Sequence, residues 1–184
     1  MSSSSCRNRK AIRRQSAGLP AAAIRTDTFE RNAEVGLTRL RSFLRRHRSI
    51  AIDTNVFIYA LEANPRYAAL ADHIFSWLEQ AGHRGVTSTI TMTELLVQPY
   101  RDGDEQRVDR FYGLLATYPN LEWVAPDLEV ADIAARIRAA HRLRTPDALQ
   151  AATVIRSQAT GIVTNDPVLE RLKEFETLVL DRIL

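Results

Sequence analysis

From residue 49 onward the chain alternates short apolar runs with longer stretches of helical periodicity, and this alternation narrows the possible folds more than any other feature. Short apolar runs bounded by turn formers read as strands, and apolar residues at three- and four-residue spacing read as helices. The pattern predicts strands at Ser49–Ile52, Val86–Ser88, Leu121–Val124, Ile162–Thr164 and Leu178–Leu180. Between them it predicts helices over Val56–Leu61, Tyr67–Gln80 and Glu105–Thr117, and one opened by Glu94 and stopped by Pro99. Further helices start at Pro126-Asp127, at Thr145-Pro146-Asp147 and, briefly, at Pro167. Strands alternating with helices in this way build a parallel-sheet α/β domain. No repeat or low-complexity segment interrupts residues 49–184, so that range is expected to be one compact domain.

Residues 1–48 differ from the rest in charge. They hold twelve Arg and Lys against three Asp and Glu, a net of +9, whereas residues 49–184 carry a net of −6. Residues 1–25 are rich in Ser, Arg and Ala and read as disordered. Their composition is like that of a transit peptide, and Arg13-Arg14 mimics a twin-arginine signal, but the apolar stretch that follows is short and broken by Pro20. Thr28 to His47 is expected to form a basic helix with Phe29, Leu37, Leu40 and Leu44 toward one face. Three fates stay open for it: lying on the domain, contacting RNA, or preceding the true start of translation. Cys6 is the sole cysteine, which excludes an internal disulfide framework and points to a reducing, cytoplasmic setting. No run approaches the roughly 18 apolar residues of a membrane span.

Four acids stand where strands end or helices begin: Asp53, Glu94, Asp147 and Asp166. Asp53 follows the first strand, and Asp166 follows Gly161-Ile162-Val163-Thr164. In an open α/β sheet, residues just past the carboxyl ends of neighbouring strands converge on one crevice. Four carboxylates there repel one another and raise each other's pKa unless a hard divalent cation neutralises them.

Each acid also has a plain structural reading. Asp53 in Asp53-Thr54-Asn55 suits a turn. Thr91-Met92-Thr93-Glu94 fits a capping box. Asp147 lies in the first turn of a helix with Thr145 as N-cap and Pro146 at the first helical position, and Asp166 is a good N-cap. The shared sheet edge favours chemistry over capping. Other chemistries are poorly supported, because His73, His83 and His141 show no zinc-like spacing and no obvious Ser or Cys partner. His73 and His83 read as surface residues, and His141 as part of the basic stretch His141-Arg142-Leu143-Arg144 before Asp147, suited to phosphate contact. A glycine-rich phosphate loop is absent.

The motifs together resemble those of the PIN-domain ribonucleases, and among these the VapC-like toxins of toxin–antitoxin pairs. The resemblance rests on Asp53-Thr54-Asn55-Val56-Phe57-Ile58-Tyr59, Thr93-Glu94-Leu95-Leu96, Arg144-Thr145-Pro146-Asp147-Ala148-Leu149-Gln150-Ala151-Ala152-Thr153 and Thr164-Asn165-Asp166. It covers residues 49–184 and leaves the basic extension unexplained. It implies a three-layer sandwich with a mostly parallel central sheet flanked by helices. It also implies an endoribonuclease dependent on Mg²⁺ or Mn²⁺, a homodimer, and a cognate antitoxin that covers the site. On this chain Asp53, Glu94, Asp147 and Asp166 become the catalytic, metal-binding acids, with Asn55 and Thr164 as supporting polar residues. Arg142 and Arg144, with Arg101 and the basic extension, are expected to attract RNA.

Two rivals use the same residues differently. A non-catalytic RNA-binding or protein-interaction module on this fold would need no metal. An aspartyl-nucleophile phosphatase would want a second acid two residues after Asp53, where Asn55 stands. Aromatic residues Phe57, Tyr59, Phe75 and Trp77 are candidate contact surface for an antitoxin or a dimer partner, with core packing as the alternative.

Overall fold

A computed structural model of the chain describes residues 26–184, with side chains from residue 33 onward; the targeting and disorder readings of residues 1–25 lie outside the described residues. Five strands form one sheet: β1 (Ser49–Ile52), β2 (Arg84–Ser88), β3 (Leu121–Val124), β4 (Gly161–Thr164) and β5 (Glu176–Val179). Their order is β3-β2-β1-β4-β5, and all four pairings are parallel. The chain leaves β1 toward β2 and β3 on one side, then crosses to β4 and β5 on the other. β1 and β4 are therefore the neighbours at which strand order reverses, where open α/β sheets place their ligands.

Helices α1 (Thr26–Arg46), α2 (Thr54–Leu61), α3 (Ala68–Leu78), α4 (Thr89–Arg101) and α5 (Glu105–Ala116) cover one face. Their buried Leu44, Phe57, Ile74, Leu95 and Phe111 pack with Ile50, Ile52 and Val163. Helices α6 (Leu128–His141) and α7 (Thr145–Arg156) cover the other, where Val130, Ile137 and Ala148 meet Ala51, Val86 and Ile162. Successive side chains of β1 and β4 thus divide between the layers, as strand geometry requires. This is the sandwich the sequence implied.

Several boundaries differ from those expected. α4 opens at Thr89, with Ser88 accepting from the Ile90 amide, and runs through Pro99 in its last turn to Arg101. Glu94 is therefore in mid-helix and caps nothing. α7 has Arg144 as its N-cap, so Thr145 and Pro146 occupy its first two positions. The last strand lies earlier than Leu178–Leu180. Phe57, Phe75 and Trp77 are buried core residues rather than contact surface; Tyr59 is half-buried.

The basic helix spans Thr26–Arg46 and packs on the domain. Leu40 and Leu44 face the core as expected, with Leu37 partly buried against it and Phe43 joining them, while the Phe29 side chain lies outside those described. Just beyond it, His47 is buried, with Nδ1 2.7 Å from Thr160 Oγ1 and Nε2 3.0 Å from Glu176 Oε2. Arg46 also pairs with Glu176, so the helix end is latched to the amino edge of β4 and β5. Gly161 makes the close approach possible: a Cβ there would lie 2.7 Å from Phe43 Cζ. No helix among the described residues is long and apolar enough to cross a membrane.

Candidate active site

Asp53 leaves β1 as the N-cap of α2. Its Oδ1 accepts from the Thr54 amide at 2.8 Å; its Oδ2 accepts from Asn55 Nδ2 at 3.1 Å and from the Thr164 hydroxyl at 2.6 Å. The residue is 9% exposed. Burial pushes its pKa up, the Thr164 and Thr54 hydrogen bonds pull it down, and the charges of Glu94 and Asp166 raise it further. Three donors and a rigid strand end hold this group in one orientation.

Asp166 stands at the adjacent strand end. It caps the short 3₁₀ turn Pro167–Arg171, Oδ1 accepting from the Val168 amide at 2.9 Å. Its own amide donates to Thr164 Oγ1 at 2.9 Å. The Thr164 hydroxyl therefore accepts from Asp166 and donates to Asp53, tying the two acids together.

Glu94 reaches the site from α4 through a line of hydroxyls. Thr54 Oγ1 hydrogen-bonds the Glu94 carboxylate and also lies 3.1 Å from Thr91 Oγ1. A hydroxyl has one proton and two lone pairs. Thr54 gives its proton to the carboxylate and accepts from Thr91. Thr91 in turn accepts from Thr87 Oγ1 and Gln150 Nε2, each at 2.9 Å. Thr54, Thr87, Thr91 and Gln150 are buried, so the relay has one satisfied direction, toward Glu94.

Asp147 is the third residue of α7 and half-buried. Burial raises its pKa, the Asp166 charge adds to this, and Arg144 opposes both. Arg144 thus stands beside an acid of the site. Arg142 is exposed at the left-handed C-cap of α6, with φ of 57°. His141 is half-buried, as are His73 and His83, and His83 stacks on Trp77 with ring centroids 4.2 Å apart.

The fold brings Asp53 within electrostatic reach of Glu94 and Asp166, and Asp147 within reach of Asp166. Asn55 and Thr164 both contact Asp53. The relay through Thr87, Thr91 and Gln150 was not foreseen in the sequence; its only local trace is the four-residue spacing of Thr87 and Thr91 and the three-residue spacing of Asp147 and Gln150. Among the described residues, no three His, Cys, Asp or Glu side chains close round a point as a ready-made metal cage would. The donor set is nonetheless one for a hard cation. Mg²⁺ takes few protein carboxylates and keeps several waters, and an open rank of acids fits that habit better than a closed cage.

The PIN domain family model matches residues 50–174, a span that contains all four acids. This chain belongs to the PIN domain family. A chain in the crystal structure of VapBC2 from Rickettsia felis, bound to a DNA fragment from their promoter, has a similar fold, with TM-score 0.55 and 18% identity. The match covers 71% of this chain and 97% of that one. A chain of a toxin–antitoxin complex from Klebsiella pneumoniae gives TM-score 0.53 and 19% identity, over 71% and 97% of the two chains. No curated protein sequence matches. In this PIN domain, α1 lies before the matched span and β5 just after it.

Proposed function

We propose that this PIN-domain chain is a metal-dependent endoribonuclease that hydrolyses RNA phosphodiester bonds, and that it is the toxin of a toxin–antitoxin pair. The observation that carries the reading is the bridging of the acids at the strand-order reversal: Thr54 contacts both Asp53 and Glu94, and Thr164 contacts both Asp53 and Asp166. Carboxylates kept so close are costly unless positive charge joins them. PIN domains are generally nucleases that use divalent metals, which supports the same reading.

Asp53, Glu94, Asp147 and Asp166 would hold Mg²⁺ or Mn²⁺, directly or through water. Bound there, the ion would supply Lewis-acid stabilisation of charge on the scissile phosphate. The chain's own residues do the rest. Thr164, Thr54 and Asn55 fix the Asp53 carboxylate, and the Thr91–Thr54 relay aims Glu94. Arg144 and Arg142 draw the RNA backbone toward an otherwise acidic edge.

An antitoxin and a second copy of the chain are the expected protein partners. The antitoxin finds support in an apolar groove of about 820 Å³ between α4 and α5, lined by Met92, Leu96, Val97, Tyr100, Tyr112 and Trp123. Tyr100 and Tyr112 are more than half exposed there, and Thr93, beside Glu94, borders the groove. Exposed apolar patches of this kind mark contact surfaces. The solved neighbours, one VapBC2 and one toxin–antitoxin complex, point the same way.

The test is incubation of the purified chain, freed of any partner, with labelled total RNA in EDTA, Mg²⁺ or Mn²⁺. Discrete fragments with metal and intact RNA in EDTA are expected. RNA that is bound but uncut in every condition would favour the non-catalytic module.

A further inference from the structure

Asn165 separates Thr164 from Asp166, and its side chain is fully engaged away from both. Oδ1 accepts from the Asp181 amide at 2.9 Å, and Nδ2 donates to Tyr59 Oη at 2.9 Å and to Asp181 Oδ2 at 3.1 Å. These partners fix which end of the carboxamide is oxygen, since a flip would set donor against donor. Asp181 is itself held, by the Tyr67 hydroxyl and by Arg66 Nη2 at 3.0 Å. Tyr59 and Tyr67 stack with ring centroids 4.1 Å apart and planes 16° from parallel. The 3₁₀ turn Leu180–Arg182 that presents Asp181 is in turn buttressed by α1, where Arg39 Nη1 donates to the Arg182 carbonyl at 3.0 Å.

The backbone at Asp166 is extended, with φ −96° and ψ 110°. Asn165 itself stands at the bend between β4 and the 3₁₀ turn, and the Asp166 amide donates back across it to Thr164 Oγ1 at 2.9 Å. Anchoring the Asn165 side chain on the α2, α3 and C-terminal side therefore fixes the short span between Thr164, which donates to Asp53, and Asp166. We infer that Asn165 and Asp181 are positioning residues for Asp166, so that the C-terminal turn sets the geometry of the site. This rests on the metal-binding reading above. Neither residue touches the reacting groups; they act through the peptide that carries Asp166. Outer partners of this sort change metal affinity when removed, even where the ligands themselves are intact.

The experiment is titration of Mn²⁺ alone, read by free-ion electron paramagnetic resonance. It compares the full chain with Asn165→Ala, Asp181→Asn, Asp166→Asn and Ile137→Val. The last weakens the far layer without touching this network, and so shows what lost stability alone does to binding. Thermal melting confirms that each variant is folded at the titration temperature. Asn165→Ala and Asp181→Asn are expected to weaken Mn²⁺ binding about tenfold, the low end for outer partners. Asp166→Asn should weaken it more, and Ile137→Val not at all. Wild-type binding with Asn165→Ala and Asp181→Asn unchanged overturns the positioning role alone. A weakening matched by Ile137→Val at equal loss of melting temperature also overturns it, as plain destabilisation. A folded wild type that binds no Mn²⁺ overturns the metal reading and this inference with it.

Discussion

The Thr164 hydroxyl lies 2.6 Å from Asp53 Oδ2 and joins the carboxyl ends of the two central strands through one proton. Asp53 is buried, so the hydrogen bond matters more than it would in water. It opposes the burial that otherwise favours the neutral acid.

Thr164→Val keeps the shape and removes that proton. The Asp53 carboxyl then binds its own proton more tightly, and protons compete with metal for the same oxygens. A hydrogen bond to a charged group is worth about 1.5–3 kcal/mol, and about 1.4 kcal/mol corresponds to one pH unit. The pH at which Mn²⁺ binding is half lost should therefore rise by about one unit. An unchanged midpoint would remove Thr164 from the site.

The raised pKa of Asp53 also sets the sign of a stability effect. In metal-free protein the folded state holds this proton to higher pH than the unfolded state. Stability is therefore lost as pH rises from the ordinary Asp value of about 3.9 through the folded one. Asp53→Asn removes the charge. In EDTA, its melting temperature should gain on wild type as pH rises from about 4 to about 7, and Mn²⁺ should erase the gain by stabilising wild type. Glu176 behaves oppositely: Arg46 and His47 hold its pKa down, so its contribution is present at neutral pH and fades only on acidification. A variant that loses ground to wild type across the same range contradicts this assignment.

Two glycines to alanine should have opposite effects. At Gly161 a Cβ meets Phe43 at 2.7 Å and the His47 ring at 3.1 Å, so Gly161→Ala pushes α1 off the sheet. Overpacking of this kind costs about 1–3 kcal/mol. At Gly113, in α5, a Cβ meets nothing within 4 Å, and Gly113→Ala should stabilise by about 0.5–1 kcal/mol. Urea unfolding measures both. A neutral Gly161→Ala would mean that the latch is loose.

Arg144→Ala removes a positive charge beside Asp147. If Arg144 meets an RNA phosphate, affinity should fall for all sequences alike, and the slope of log affinity against log salt should shrink by about 0.7 for single-stranded RNA. Fluorescence anisotropy in EDTA, with cleavage suppressed, reads the slope. No change in slope would assign Arg144 to tuning Asp147 alone.

Much of the candidate site's placement was legible in the sequence because its parts are local. Asp53 and Asp166 follow short apolar runs that read as strands, and Asp147 follows a Thr-Pro pair that suits a helix start. Glu94 was harder to place. Ser88 and Thr91 are both good caps, and the Thr91–Glu94 spacing imitates a capping box; only the packed sheet decides that Ser88 begins the helix. Pro99 signals a stop, yet the helix continues two residues past it to Arg101. The seat of the basic helix was left open for a different reason. Its charge was plain, but the partners that bury His47 are Thr160 and Glu176, more than a hundred residues away. Asn165 and Asp181 are equally silent, since nothing in either segment names the other.

The decisive measurement is single-turnover cleavage of labelled RNA by wild type and by Asp53→Asn, with Mn²⁺ and with EDTA, after melting curves have shown both to be folded. Cleavage only by wild type and only with metal is the predicted result. Equal cleavage by Asp53→Asn, or by wild type in EDTA, would contradict metal-dependent hydrolysis at these four acids.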